Sequence, residues 1–187
     1  MLVKTDEQIA YDVKCGRREG QDLMVGRYRQ EVFTMIARMV PDVMDAEELA
    51  QDTFLRAFRN IGSYDPKQAS LSTWICRIAY RLTLNFLKRS RPLLVSIEET
   101  EVWQTDISDE QLEAEFNTGR EERIQILEKL IDELPTDERL LLTLYYFDGR
   151  PLNECSFIMD ASPNALANRL LRIRKKLYKQ IIRYDRT

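Results

Sequence analysis

LNECSFIMDASPNALANRLLRIRKKL, residues 152–177, covers two short expected helices, 152–159 and 163–178, around the break Asp160-Ala-Ser162. Ser156 is small enough for two helices to cross closely, and Asp160 stands where a left-handed residue is tolerated. Ser162 is placed to cap the second helix, with Pro163 at its first position, where a missing N–H costs nothing. Leu166, Leu170, Ile173 and Leu177 follow at steps of four, three and four, so they anchor one face of that helix. Asn164, Ala165, Asn168, Leu171, Arg172 and Lys175, flanked by Arg169, Arg174 and Lys176, are left outside. Asn and Arg match adenine and guanine edges in the major groove, an exposed Leu can meet a thymine methyl, and the later cations suit phosphates. A solvated face, with cations answering the helix dipole, accounts for the same residues. Their arrival behind a helix-turn-helix break favours duplex DNA.

Upstream, Leu134-Pro-Thr-Asp-Glu138 opens a helix whose expected buried set is Leu140, Leu141, Leu144, Tyr145 and Phe147, and Asp148-Gly-Arg-Pro151 ends it. Residues 124–187 thus form a small helical domain. The chain carries a net charge of −3, but unevenly: residues 91–123 stand at −7, whereas residues 1–90 and 124–187 each stand at +2. Weak periodicity, a proline and acidic runs make 91–123 an acidic linker, with a helix starting near Glu110.

Residues 1–90 read as a second helical domain. Ile9–Val13, Leu23–Tyr28 and Val32–Val40 are core segments ending before Pro41. Asp45-Ala-Glu-Glu48 has the form of a capping box. Behind it, Ala46, Leu49, Ala50, Thr53, Phe54, Ala57, Phe58 and Ile61 make a buried stripe, with Glu48, Gln51, Asp52, Leu55, Arg56 and Arg59 outside. Leu55 among charges hints at a partner surface. Gly62 and Pro66 close that helix. A further helix carries Ile75, Ile78, Ala79, Leu82 and Phe86 on one face, and Arg77, Tyr80, Arg81, Asn85, Lys88 and Arg89 spread over the others. Cations beside aromatic and amide groups suit a single strand of nucleic acid, although a basic helix with Trp74 in a core has the same spacing.

Low Gly and Pro counts, six each, and a 44% hydrophobic composition predict an all-α fold. The chain has no His, which removes the usual general base and every Ser/His/Asp or Cys/His arrangement. Cys15, Cys76 and Cys155 are too scattered for a zinc site, and neither metal nor cofactor is expected. Asp45, Glu47, Glu48 and Asp52 could form a magnesium cluster of a nucleic-acid enzyme, but capping and partner contact account for that run better. No apolar run suggests a signal peptide or membrane span, so a cytoplasmic location is expected.

DAEELAQDTFLRAFRNIGSYDP, STWICRIAYRLTLNFLKR and LPTDERLLLTLYYFDGRPLNECSFIMDASPNALANRLLRIRKKL together resemble the two domains of the extracytoplasmic-function class of bacterial RNA polymerase sigma factors. The resemblance implies a region-two-like domain in 1–90 and a region-four-like domain in 124–187. Glu48, Gln51, Asp52, Leu55 and Arg56 would grip the clamp helices of the polymerase's largest subunit, and the flap is a further expected contact. Tyr64, Ser72, Thr73, Trp74, Arg77, Tyr80, Arg81, Asn85, Lys88 and Arg89 would melt the minus-ten element and capture a flipped base. Asn164, Ala165, Asn168, Arg169, Leu171, Arg172, Lys175 and Lys176 would read the minus-thirty-five element as duplex. The linker would follow the RNA exit path, and an anti-sigma partner is expected. The chain departs from the family at Arg81, where Asn is common, at Ala165 and Ala167, where Thr and Lys are frequent, and at Asp160, usually Gly. The competing expectation is a stand-alone helix-turn-helix regulator that acts without polymerase.

Overall fold

The computed structural model describes residues 4–90 and 121–185, and among these all regular structure is helical. Most of the acidic linker, with the helix expected near Glu110, lies outside the described residues; residues 121–123 already belong to a helix.

The first half contains α1 (Asp6–Lys14), α2 (Arg18–Ala37), α3 (Val43–Asn60), a 3₁₀ turn (Ile61–Ser63) and α4 (Leu71–Ser90). Thr5 caps α1 in a reciprocal box: its hydroxyl accepts from Gln8 N at 3.3 Å while Gln8 Oε1 accepts from Thr5 N at 2.9 Å. A left-handed Gly16 then turns the chain into α2. These two helices cross so tightly at Gly20 that a Cβ there would stand 2.6 Å from Asp12 Cβ and 2.9 Å from Val13 N.

The start of α3 corrects the expected capping box at Asp45. Asp42, extended just behind Pro41, already offers its carboxylate, which accepts from Asp45 N at 3.0 Å. Asp45 is therefore the third helical residue and a donor, and Val43 and Met44 move into the first turn of the helix. The stripe behind it is buried as expected from Ala46 to Ala57, with Phe58 half-buried and Ile61 buried in the 3₁₀ turn. Gly62 does not use a left-handed backbone to stop the helix.

The second half contains α5 (Glu121–Asp132), α6 (Thr136–Leu142), a π-helical turn (Thr143–Phe147), α7 (Leu152–Met159) and α8 (Pro163–Asp185). Leu140, Leu141 and Leu144 are buried, but Phe147 is 67% exposed and Tyr145 only half-buried. The π turn explains the difference. Asp148 N reaches back five residues to Thr143 O at 3.0 Å, which widens the last turn and rotates Phe147 off the buried stripe.

The expected break between α7 and α8 is present in detail. Asp160 takes a left-handed φ of 53°, Ser156 Oγ donates to Ala161 O at 2.6 Å, and Ser162 Oγ accepts from Ala165 N at 3.2 Å. Leu166, Leu170, Ile173 and Leu177 are all buried. Fully burying such aliphatic side chains contributes about 1.5–3 kcal/mol each, so they fix the rotation of α8 and leave its polar face outward.

The halves are joined. α7 packs along α4, which is covered by α2 and α3 on its other side. Double cover explains why Thr73, Trp74, Ile75, Cys76, Ala79, Tyr80, Leu82 and Thr83 are buried in nearly unbroken sequence. Burial pushes the Cys76 thiol up to about 12 and that of Cys155 to about 11, so both are poor nucleophiles. Among the described residues no helix is long and apolar enough to cross a membrane, and no His, Cys, Asp and Glu cluster is arranged to hold a metal.

Candidate nucleic-acid interface

Three surfaces receive the residues singled out in the sequence. On α3, Glu48, Gln51, Asp52, Leu55 and Arg56 are all exposed. Met44, Gln51 and Leu55 follow at i, i+7 and i+11, so they share a face, on which Met44 is 80% and Leu55 50% exposed. Val43 adjoins it at 61% exposure. The sequence reading passed over Met44 and Val43 because a cap at Asp45 left them outside the helix. An apolar strip bordered by Glu47, Glu48 and Asp52 suits a partner with apolar and basic groups. Arg56 is turned away from that strip and lines a cleft toward α4.

The cleft holds about 400 Å³, with Arg56, Trp74, Arg77, Arg81 and Phe157 among its walls. Trp74 and Tyr64 stack obliquely at its edge, ring centroids 5.7 Å apart. Three cations around an aromatic floor can take an anionic group beside a flat ring. The remaining α4 candidates are divided. Arg81, Asn85, Lys88 and Arg89 are exposed and Arg77 and Ser72 half-buried, whereas Thr73, Trp74 and Tyr80 lie in the interior.

What covers α4 is the other half of the chain. Arg81 grips Asp160 with a fork, Nε to Oδ2 at 2.6 Å and Nη2 to Oδ1 at 3.0 Å, and Arg77 pairs with the same carboxylate. Partial burial alone would raise the Asp160 carboxyl, but the hydrogen bonds from Arg81 and Arg77 outweigh it and hold the group below its usual range. The Arg77 guanidinium also lies 4.4 Å from the centre of the Phe157 ring.

Beside this pair sits a buried hub around Arg150. Its Nη1 donates to Glu154 at 2.8 Å and to Thr73 Oγ1 at 3.1 Å, and its Nη2 donates to Ser72 Oγ at 3.0 Å and pairs with Glu31. Ser72 donates to both Glu31 oxygens at 2.8 Å, and Arg38 meets Asp148 at 3.0 Å. Sequence reasoning gave Arg150 only as part of a helix end and did not name Arg38, because the partners Glu31 and Asp148, more than a hundred residues away, leave no local pattern.

On α8, Asn164, Ala165, Asn168, Arg172 and Lys176 are exposed, and Arg169, Leu171 and Lys175 partly so. Asn164, Ala165, Asn168, Arg172 and Lys176 thus face solvent on the side away from the leucine anchors.

The comparisons follow the same division. A family model described as sigma-70 region 2 matches residues 24–92, and one described as sigma-70, region 4, matches residues 124–177. The RNA polymerase sigma-H factor of Pseudomonas aeruginosa is 28% identical over 181 residues, covering 94% of this chain and 93% of its own. The ECF RNA polymerase sigma factor SigW of Bacillus subtilis is 29% identical over 175 residues, covering 90% and 92%.

Among solved structures, CnrH in complex with the cytosolic domain of CnrY aligns with a TM-score of 0.60 at 19% identity, covering 94% of this chain and 96% of that one. The sigma factor RpoE of Bartonella quintana, in complex with the anti-sigma factor NepR, aligns at 0.57 and 16% identity, covering 84% and 93%. At these identities the structural likeness is one of fold. Two region matches in the order of the two helical halves, with relatives aligned along nearly their whole length, place this chain in the extracytoplasmic-function class of RNA polymerase sigma factors.

Proposed function

We propose that the chain divides its work as a sigma factor between residues 1–90 and 124–187, with 91–123 as the tether running near the RNA exit path. The exposed α3 strip engages the clamp helices of core polymerase. The α4 cleft takes the melted minus-ten strand, phosphates against Arg77, Arg81, Lys88 and Arg89 and a flipped base beside Trp74. The outward face of α8 enters the major groove of the minus-thirty-five element, and residues 124–187 also meet the flap. Work beside polymerase implies a cytoplasmic protein, and every role here is binding, with no catalytic step assigned to the chain. CnrH was solved with the cytosolic domain of CnrY and RpoE with the anti-sigma factor NepR; an inhibitory anti-sigma partner for this chain is proposed by that analogy.

The observation that carries the reading is the α8 face: a capped helix, anchored by four buried aliphatic residues, presents Asn164, Asn168 and Arg172 to solvent. The test is run-off transcription with core polymerase and a randomised promoter library. Enrichment of a two-block promoter is expected. Duplex binding by the protein alone, with no polymerase association and no transcript, would replace this reading with the stand-alone regulator.

A further inference from the structure

We propose that in the free protein the turn between α7 and α8 acts as an internal imitation of a nucleotide, Asp160 standing in for the phosphate and Phe157 for the base, and keeps Arg77 and Arg81 of the α4 cleft from a strand. The inference rests on the reading of α4 as the strand-binding surface.

The imitation is chemical and local. A backbone phosphate carries one negative charge and two oxygens that a guanidinium fork can grip. Asp160 presents the same to Arg81, at 2.6 and 3.0 Å, and shares its charge with Arg77. Three residues earlier, Phe157 lies against the Arg77 guanidinium and forms a wall of the cleft that a flipped base would use. Stacking of a flat ring on arginine is how single-stranded bases are held without regard to sequence. A carboxylate forked on the Nε–Nη2 edge of Arg81 covers the edge that a phosphate would grip and neutralises its charge, so the two occupants compete for it.

Asp160 pays a conformational cost to be there. Its φ of 53° suits Gly better than any residue with a Cβ, and the turn alone does not ask for a carboxylate. Glu154 and Asp148 extend the acidic edge, Glu154 onto Thr73 and Asp148 onto Arg38. The clasp is also breakable. Arg81 is 56% and Asp160 36% exposed at their side chains, so solvent screens the pair and its opening is within reach of binding by a larger partner. The α8 face stays outside the clasp, so the shut protein retains duplex contact while losing single-strand contact.

The test compares the full chain with Asp160→Asn, which keeps a residue tolerant of the left-handed turn, and with Phe157→Leu, which keeps apolar bulk without the ring. Small-angle scattering reads the separation of the halves. Fluorescence anisotropy with a labelled random single-stranded DNA of roughly fifteen nucleotides reads the cleft. Asp160→Asn should expand the particle and bind the strand roughly tenfold tighter, since apparent affinity scales with the open fraction. Phe157→Leu should gain less, and adding Arg81→Gln to Asp160→Asn should abolish the gain. A variant that stays compact with unchanged affinity overturns the clasp alone. Expansion without tighter binding overturns the imitation, and with it the assignment of α4 as the strand-reading face.

Discussion

Thr73 Oγ1 donates to Glu154 Oε2 at 2.8 Å across the junction of α4 and α7, with the threonine fully buried. The same oxygen receives Arg150 Nη1 at 3.1 Å. A hydroxyl satisfied in both directions by the other half of the chain belongs to the junction before it can belong to DNA. Thr73→Val keeps the shape and strips Glu154 and Arg150 of a partner. The expected loss is about 1–3 kcal/mol of unfolding free energy in urea. A loss under about 0.5 kcal/mol, the range of ordinary surface changes, would mean the junction does not persist in solution.

Gly20→Ala tests the crossing of α1 and α2. Helix propensity alone favours Ala by about 1 kcal/mol. The new Cβ, however, would stand 2.6 Å from Asp12 Cβ and 2.9 Å from a backbone nitrogen that cannot swing aside. Asp12 is itself pinned by Lys4 at 2.9 Å and Arg17 at 2.6 Å. Overpacking should win, with a net loss of about 1–3 kcal/mol and a lower midpoint in thermal unfolding.

Leu55→Asp tests the α3 strip. The side chain is 50% exposed, so the fold should be unaffected within about 0.5 kcal/mol. Binding of core polymerase should weaken by roughly tenfold or more, while duplex binding by the α8 face stays constant. Met44→Asp should behave alike. Unchanged polymerase affinity in both would remove the strip from the polymerase interface.

Arg172→Ala should weaken promoter use by roughly 1–3 kcal/mol if the arginine reads a base, with the loss confined to one position of the minus-thirty-five block. Equal weakening on every sequence would make it a phosphate contact. A randomised promoter series separates the two.

Acid should weaken the clasp, in a defined window. Asp160 in the folded chain titrates below its ordinary 3.8, so its contribution to stability is fully present above that value and is lost as the pH falls through the lower folded value. The thermal midpoints of wild type and Asp160→Asn should therefore differ by a constant amount from neutral pH down to about 5 and converge on further acidification. A difference that grows in acid would contradict the depressed carboxyl.

The helices were legible in the sequence wherever one buried face dictated the spacing. The anchors of α8 and the stripe of α3 needed only period 3.6, and the cap at Ser162 only its neighbour Pro163. The start of α3 was missed because two aspartates three residues apart, Asp42 and Asp45, both fit a cap, and the earlier one wins by standing in extended backbone. Phe147 was misplaced because a π turn changes the period itself. Tyr80 and Thr73 look surface-like by composition, but Thr73 is buried where Glu154 of α7 meets it and Tyr80 turns its hydroxyl to Asp137 of α6. The surfaces on α3 and α8 could be read because each is one helix face. The clasp on α4 could not, since Arg81 and Asp160 share no pattern in the linear chain.

Aspartate and glycine codons differ at one nucleotide, and glycine is the residue that the left-handed turn at 160 would accept with less strain. A single mutation there would keep the turn, release Arg77 and Arg81, and leave the duplex-reading helix as it is. Restraint and recognition in this chain are thus separately heritable: a lineage could lose or regain its silence in one genetic step without altering which promoters it answers to.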